Sequence, residues 1–250
     1  MPEPLLTAEQ VTVRFGGLTA LDRVDLEVME GRITGLIGPN GAGKTTMFNV
    51  LTGLQAPTSG QVRMAGRPVN RWPPQRRARA GLARTFQRLE LFGGLSVRDN
   101  LLSAWEAGVP GGVFGRRAAE GRLVVEQILD RLRLTGLADR RAGDLPTGLG
   151  RMVELGRALC TRPRVLLLDE PSSGLDAAET EAFREVLAEL TGSGEGAPAV
   201  LLVEHDMRLV MEVCERITVL EFGKWIASGT PDEVRNDPRV VAAYLGQATA

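Results

Sequence analysis

A glycine-rich segment around residue 40 constrains the fold of this chain more than any other feature. It reads Gly38-Pro39-Asn40-Gly41-Ala42-Gly43-Lys44-Thr45 and follows the apolar run Ile33–Ile37. The apolar run predicts a buried strand, and the spacing over Thr45–Leu54 predicts a helix, so the segment joins a strand to a helix. Its glycines let several backbone N–H groups face one anion at the positive end of that helix. The segment therefore predicts an α/β fold with a phosphate-binding loop.

The end of this loop supplies the polar side chains that a nucleoside triphosphate requires. Lys44 is a mobile cation for the β- and γ-phosphates, and the hydroxyl of Thr45 is placed to bind Mg²⁺. The candidate nucleotide-binding residues of the loop are Gly38, Pro39, Asn40, Gly41, Ala42, Gly43, Lys44, Thr45 and Thr46.

A second apolar run ends in two acids. Val165–Leu168 predicts a buried parallel strand, and Asp169 and Glu170 follow it directly. At the tip of a strand that faces a phosphate site, Asp169 can hold Mg²⁺, usually through water, and Glu170 can polarise the attacking water. Alone, this pattern is weak, because acids commonly end strands; after a phosphate loop it becomes a strong prediction.

The composition limits the partners of this chain. With 43% hydrophobic residues, 24% charged residues and a net charge of −1, its 250 residues are typical of a soluble globular protein and give no electrostatic sign of nucleic-acid binding. We interpret the basic run at 76–79 as a solvated helix face. The apolar runs are too short to span a bilayer, so any membrane role requires a partner. Cys160 and Cys214 match no ligand spacing and are expected to be reduced core thiols.

The remaining patterns divide the chain into two parts. Segments with alternating apolar and polar residues, or with apolar residues throughout, predict strands at Val11–Phe15, Val24–Val28, Ala199–Val203, Ile217–Glu221 and Lys224–Ser228. In the middle of the chain, apolar residues at helical spacing predict helices at Ser96–Ala107, Glu120–Leu132 and Arg151–Thr161. Gly108–Gly115 and Thr191–Pro198 are expected to be loops, and Thr230-Pro231-Asp232-Glu233 a capped helix start. We expect a core formed by 1–87 and 161–250, with an antiparallel β subdomain, and a helical subdomain over 88–160.

The order of these motifs resembles that of ABC-type ATPases over nearly the whole chain. Gly38–Thr46, Gln87, the pair Asp169-Glu170, Ser173–Asp176 and His205 occur in the order of that family. The resemblance implies ATP as substrate and Mg²⁺ as metal. It also implies that Gln87 contacts Mg²⁺ and water, and that Ser173–Asp176 crosses a dimer interface.

The same resemblance assigns three further residues. His205 matches the family's histidine that contacts the γ-phosphate, although a lone histidine at a strand end is usually only a satisfied polar residue. Phe15 matches the aromatic that stacks on adenine, and Ala20 lies where a small apolar contact with the base is usual. A phenylalanine at a strand end is also common in a core.

The signature segment of the family, Leu-Ser-Gly-Gly-Gln, is altered here. The matching stretch is 145–149, in which Pro146 replaces the serine, Thr147 follows it and Gly148 is kept. The resemblance implies that this segment contacts the ATP of the opposite subunit. Losing one donor typically costs about 10²–10³ in rate. Two interpretations remain: a working variant, favoured by the intact Glu170 and His205, or a composite site that mainly binds ATP.

Within the family, the chain is most similar to the ATP-binding subunits of branched-chain amino acid importers. The segment Arg84–Gln87, the segment Val203–Met207 and the tail Val240–Gly246 support this resemblance. It implies a dimer of ATPase subunits, identical or related, that docks on transmembrane permease subunits near Gln87 and Leu89–Leu95. That apolar stretch is also compatible with the core of the insertion. An extracytoplasmic solute-binding protein would act indirectly, and the chain would lie at the cytoplasmic face of the membrane.

Three alternatives stay open at this point. Relatives of the same branch handle urea, amides and other small solutes. A soluble ABC-type ATPase in repair, translation or cluster assembly usually has tandem halves, coiled-coil inserts or metal-binding cysteines, none of which we find in this sequence. A small-molecule kinase on the same loop would not explain Ser173–Asp176 together with His205.

Overall fold

The computed structural model describes residues 4–108, 116–191 and 196–245. The strands of this described part are β1 (Pro4–Phe15), β2 (Leu18–Met29), β3 (Ile33–Ile37), β4 (Ser59–Met64), β5 (Arg67–Pro68), β6 (Leu82–Arg84), β7 (Val165–Asp169), β8 (Ala199–Val203), β9 (Arg216–Glu221) and β10 (Lys224–Gly229). Its helices are α1 (Lys44–Thr52), α2 (Pro74–Arg79), α3 (Val97–Gly108), α4 (Arg116–Arg131), α5 (Thr147–Cys160), α6 (Ala177–Thr191), α7 (Met207–Val213), α8 (Pro231–Arg235) and α9 (Pro238–Leu245). Most of the predicted loop 108–115, residues 192–195 of the second predicted loop and Gly246 of the tail lie outside the described residues.

The larger sheet has the strand order β10-β9-β3-β8-β7-β6 and is parallel from β9 to β6. Every residue of β3, β7 and β8 is buried, which explains why these strands read as unbroken apolar runs. Because the strands are parallel, their carboxyl ends lie along one edge of the sheet. The glycine loop, the acidic pair and His205 all follow strands at that edge, as the sequence predicts.

The smaller sheet is antiparallel, in the order β2-β1-β4-β5, and confirms the predicted antiparallel β subdomain. Strand β1 begins at Pro4, well before the predicted Val11. The register shifts between Ala8 and Val11, and Gln10 has φ of 49° while its N–H donates to Asp25 at 2.7 Å. This bulge interrupts the alternation, so the sequence pattern identified only the second half of the strand.

The helical middle of the chain lies between β6 and β7 and contains α3, α4 and α5. Helix α5 begins at Thr147, four positions before the predicted Arg151, and Pro146 precedes it as the N-cap. The fully buried Trp105 of α3 and Leu129 of α4 belong to the same apolar cluster as residues of β3 and β7. The helices therefore pack onto the core of the sheet.

Two smaller predictions have different outcomes. Thr230 caps α8 in a capping box with Glu233, as predicted. The interpretation of the basic run as a solvated face is wrong for Arg77, which is 1% exposed. Its guanidinium group donates to the carbonyl oxygens of Val50 and Leu51, at 2.7 Å each, and also to those of Val69 and Trp72. These bonds satisfy carbonyls near the end of α1, which compensates for the burial of the charge.

The two cysteines lie in the core, as the sequence predicts. Cys160 and Cys214 are buried free thiols, and burial raises the pKa of each to about 12. Within the described ranges, no helix has both the length and the apolar character needed to cross a bilayer.

Candidate nucleotide-binding and hydrolysis site

The glycine loop connects β3 to α1 in a conformation that two of its glycines require. Gly38 has φ of 148°, and a Cβ added there would lie 2.1 Å from the carbonyl oxygen of Leu220. Gly43 has φ of 103°, and its added Cβ would lie 2.8 Å from the carbonyl oxygen of Ala20. Both contacts are with backbone atoms, which cannot move aside. The sequence places glycine where the loop touches its neighbours.

The turn between β9 and β10 also holds the loop. The N–H of Gly223 donates to the carbonyl oxygen of Ala42 at 3.0 Å, and the carbonyl oxygen of Gly223 accepts from the N–H of Asp22 at 2.8 Å. The loop is thus held between β2 and the β9–β10 turn. Ala20, predicted to contact the base, lies in β2 beside Gly43.

Lys44 lies buried inside the loop. Its Nζ donates to the carbonyl oxygens of Gly38 at 2.6 Å and Pro39 at 3.0 Å. Burial lowers the pKa of Lys44, and the charges of Glu170 and Asp169 act in the opposite direction. Neutral carbonyls are weaker acceptors than phosphate oxygens, so an arriving triphosphate can replace them.

The residues predicted to hold Mg²⁺ supply only oxygen ligands. Thr45 is exposed at the start of α1, and the Oδ2 atom of Asp169 accepts from Nη2 of Arg84 at 2.7 Å. Among the described residues, no group of three or more His, Cys, Asp or Glu side chains forms a metal cage. A hydroxyl, a carboxylate and an amide oxygen suit Mg²⁺, which takes few protein ligands and completes its shell with phosphates and water. The residues present therefore fit this metal.

The three predicted catalytic residues meet at one carboxylate. Oε1 of Glu170 lies 2.8 Å from Nε2 of His205, and Oε2 accepts from Nε2 of Gln87 at 2.9 Å. Glu170 has φ of 48°, an unusual conformation for this residue type, and its N–H donates to the carbonyl oxygen of Val203 at 2.8 Å. Strained backbone of this kind persists where the surrounding structure fixes it, and it clusters at functional sites.

Glu204, to which the sequence patterns assign no role, holds the neighbouring loops together. Its buried carboxylate accepts from the N–H of Ser172 at 2.7 Å and from that of His205 at 3.1 Å. Burial raises the pKa of Glu204 and these hydrogen bonds lower it. The sequence did contain a signal for this role of Glu204. It is an acid directly after a wholly apolar strand, at the sheet edge where β7 also ends in acids.

The candidate base-binding residue Phe15 is exposed. It ends β1, pairs with Leu18 across the tight turn to β2, and has 49% of its surface exposed. The alternative that Phe15 belongs to the core is therefore wrong.

The altered signature segment forms the first turn of α5. Thr147 is exposed, Gly148 is buried, and the N-cap Pro146 provides no side-chain cap. A Cβ on Gly148 would lie 2.2 Å from Cδ of Glu179. In the described part of the chain, no hydrogen bond joins Thr147 or Gly148 to the glycine loop. Thr147 lies beside the loop that follows β7, because its Cγ2 would be 3.4 Å from a Cβ added to Gly174.

Helix α5 also holds the segment that contains Gln87. Arg151 donates to the carbonyl oxygens of Phe86, at 3.0 Å, and Gln87, and pairs with Glu154 at 2.9 Å. Glu154 in turn accepts from the N–H of Phe86 at 3.4 Å. Burial raises the pKa of Glu154, and Arg151 opposes this. The sequence patterns did not indicate this link between the signature helix and the Gln87 segment.

A phosphate loop after β3 and an acidic pair at the end of β7 lie along the same edge of one parallel sheet, with β8 between the two strands. This arrangement places the chain among P-loop proteins that act on nucleoside triphosphates. The family is given by direct comparison: the family model described as ABC transporter matches residues 21–173. The chain belongs to this family. A second family model, described as branched-chain amino acid ATP-binding cassette transporter, matches residues 226–250.

The similarity of the chain to individual proteins supports its membership of this family. The chain is 43% identical over 257 aligned residues to the high-affinity branched-chain amino acid transport ATP-binding protein LivG of Salmonella typhimurium, covering 99% of this chain and 100% of LivG. The crystal structure of the ADP conformation of MJ1267, an ATP-binding cassette of an ABC transporter, matches with a TM-score of 0.86 and 30% identity over 97% of this chain and 99% of MJ1267. The dimeric post-hydrolysis structure of the cassette MJ0796, bound to ADP and Pi, matches with a TM-score of 0.77 and 26% identity over 90% of this chain and 98% of that one.

These matches define the activity. The chain is an ABC-type ATPase, a transporter subunit that binds and hydrolyses ATP. Its P-loop core, antiparallel sheet and helical insertion confirm the predicted fold class. Membership of a transporter family disfavours the small-molecule kinase.

Proposed function

We propose that this chain energises an importer of branched-chain or related amino acids. The observation that supports this most strongly is the similarity to LivG, which extends over 99% of the chain at 43% identity. The second match, at residues 226–250, adds a segment outside residues 21–173, which the ABC transporter model matches.

We propose that two such subunits, identical or related, bind two ATP molecules between them. Each phosphate loop would face the Thr147–Gly148 turn and the Ser173–Asp176 loop of the opposite subunit. The basis is that Thr147 and Gly148 make no hydrogen bond to the glycine loop of their own chain within the described residues. The first turn of α5 has no side-chain cap, so its N–H groups suit a γ-phosphate. The dimeric MJ0796 structure is consistent with this arrangement.

In each half-site, the side chains would act around the γ-phosphate. Glu170 would polarise the attacking water, with Gln87 and His205 holding its carboxylate, and His205 would also contact the γ-phosphate. Lys44 and the loop N–H groups would bind the phosphates, Phe15 would stack on adenine, and Ala20 would lie beside it. Thr45, Gln87 and Asp169 would hold Mg²⁺, which neutralises phosphate charge.

When the dimer closes, the helical subdomain would move with it and would transmit this movement to the permease subunits that it contacts. We assign residues 88–160 to that subdomain and the rest of the chain to the core. Phe92 and Leu95 are exposed large apolar residues in the stretch after Gln87, and Arg157 lies over the Phe92 ring at 4.6 Å. A docked permease would cover this surface. The chain would then lie peripherally at the cytoplasmic face of the membrane, and the extracytoplasmic binding protein would act through the permease.

Reconstitution tests this proposal. The chain is co-purified with its native membrane partners, placed in proteoliposomes with the solute-binding protein, and assayed for ATP-driven uptake of radiolabelled leucine. We expect leucine uptake, leucine-stimulated ATPase activity, and loss of both with Lys44→Ala. Uptake of urea or an amide without leucine would favour the alternative solute. Purification without any membrane protein would favour the soluble ATPase.

A further inference from the structure

Arg84 connects the phosphate loop helix to the acid that ends β7. Its Nη1 donates to Oδ1 of Asn49 in α1 at 2.8 Å, and its Nη2 donates to Oδ2 of Asp169 at 2.7 Å. Both members of the Arg84–Asp169 pair are 8% exposed at the side chain. The guanidinium carbon also lies over the rings of Phe48, at 5.4 Å, and Phe86, at 5.0 Å. The guanidinium group is therefore fixed in one place from several sides.

The position of this cation is unusual for a strand residue. Burying a guanidinium group is costly, and an apolar residue at the end of β6 would avoid that cost. Nε of Arg84 has no hydrogen-bond partner among the described residues, so the burial is not fully compensated. The charge therefore has a role beyond packing.

Charge balance indicates that role. Beside the phosphate loop, the edge of the sheet carries the acids Asp169 and Glu170 and the buried cations Lys44 and Arg84. The third acid of this edge, Glu204, accepts hydrogen bonds from the N–H groups of Ser172 and His205 instead. The Oδ2 atom of Asp169 already accepts a hydrogen bond from Arg84, which leaves Oδ1 as the oxygen that could bind a metal ion. A free divalent cation would meet two positive charges and gain little, whereas a metal–triphosphate complex brings its own negative charge.

We infer that Arg84 is a positioning residue that excludes free divalent cations from Asp169 until a nucleotide is bound. The inference deepens the proposed function, because it rests on the proposed metal role of Asp169. Arg84 holds the carboxylate in place and balances its charge, so that the metal enters together with the phosphates. A free ion that bound at Asp169 before ATP would occupy the position of the nucleotide-bound metal. It would therefore impede the entry of the metal–ATP complex.

The test is a titration of the full chain with Mn²⁺ in the absence of nucleotide. The electron paramagnetic resonance signal of the free ion measures how much Mn²⁺ remains unbound. Arg84→Met removes the charge, and we expect it to bind Mn²⁺ about tenfold or more tightly than the unaltered chain. Arg84→Lys keeps a charge there and should bind as weakly as the unaltered chain. Arg184→Met, which removes a cation whose ion pairs are with Glu181 and Glu212 on the helices, is the matched control.

Other outcomes separate this inference from the proposed function. Equal Mn²⁺ affinity in Arg84→Met and the unaltered chain, or tight binding in Arg84→Lys as well, overturns the role of the charge. If Arg84→Met does not fold, Arg84→Gln keeps a donor without the charge, and the same tightening is expected. Asp169→Asn should weaken Mn²⁺–ATP binding. If it does not, the metal role of Asp169 fails and the inference fails with it; if it does while Arg84→Met is unchanged, only the inference fails.

Discussion

The imidazole Nε2 of His205 lies 2.8 Å from Oε1 of Glu170, so the residue after β7 and a residue that follows β8 share one hydrogen bond. Gln87 donates to the other carboxylate oxygen at 2.9 Å. Three segments that are far apart in sequence thus fix one carboxylate from two sides. A base held in this way needs little reorganisation before it accepts a proton from water.

Replacing His205 should slow hydrolysis much more than it weakens ATP binding. His205→Ala removes one of the two hydrogen bonds to Glu170, and we expect kcat to fall about 10²-fold or more. The KM for ATP should change little, because Lys44 and the loop N–H groups remain. His205→Gln keeps an amide donor and should retain part of the rate. Steady-state ATPase assays measure both constants, and an unchanged kcat in His205→Ala would contradict the role of the pair.

The altered signature segment can be tested at Thr147. We expect Thr147→Val, which keeps the branched shape but lacks the hydroxyl, to lower hydrolysis about 10²-fold because the partner's γ-phosphate loses a donor. Thr147→Ser keeps the hydroxyl and should stay near the original rate. Nucleotide binding to the monomer, followed with a fluorescent ATP analogue, should be equal in all three proteins. Equal hydrolysis by Thr147→Val would show that the hydroxyl does not replace the missing serine.

Two glycines of the phosphate loop should tolerate alanine differently. Gly41→Ala introduces a Cβ with no atom within 4 Å at φ of 78°, so only backbone strain of about 1–2 kcal/mol is expected. Gly38→Ala places its Cβ 2.1 Å from the backbone oxygen of Leu220, and should lower the thermal midpoint further. Differential scanning fluorimetry compares the two, and a lower midpoint for Gly41→Ala than for Gly38→Ala would contradict the close approach of Gly38 to Leu220.

The Arg151–Glu154 pair predicts a pH-dependent stability. Burial raises the pKa of Glu154 above the ordinary 4.5, so its ionised form is disfavoured in the folded state. Removing Arg151 removes a compensating charge and should raise this pKa further. Arg151→Met should therefore lower the free energy of unfolding by about 3–5 kcal/mol at pH 8. The loss should be smaller at pH 5, because protonation of Glu154 becomes more favourable as the pH falls towards its raised pKa.

Urea unfolding at the two pH values measures this difference. The double variant Arg151→Met/Glu154→Gln removes both charges of the pair and should lose most of the pH dependence. A loss of stability in Arg151→Met that is equal at both pH values would assign the effect to packing.

The sequence predicted the parts of the fold that local patterns determine. Strand β8 was predicted with its observed bounds, because a fully buried parallel strand reads as an apolar run, here between Pro198 and Glu204. The capping box at Thr230 was predicted because both of its partners lie within four residues. The glycine loop was predicted because its conformation depends on its own residue types.

Contacts between distant segments were not predictable from such patterns. Arg84 and Asp169 are 85 positions apart, and only the pairing of β6 with β7 brings them together. A basic run usually indicates a surface, yet Arg77 is buried and satisfies carbonyls of Val50 and Leu51. Strand β6 has three residues, too few for a pattern to be recognised.

The role of Glu170 as the general base is tested best by a single-turnover experiment with Glu170→Gln. The substitution keeps the size of the side chain and removes its ability to accept a proton, and the phosphate loop is untouched. We predict that the variant binds ATP with Mg²⁺, elutes as a dimer on size-exclusion chromatography, and hydrolyses the bound ATP at least about 10²-fold more slowly than the unaltered chain. Hydrolysis at an unchanged rate would contradict the assignment of Glu170 as the general base.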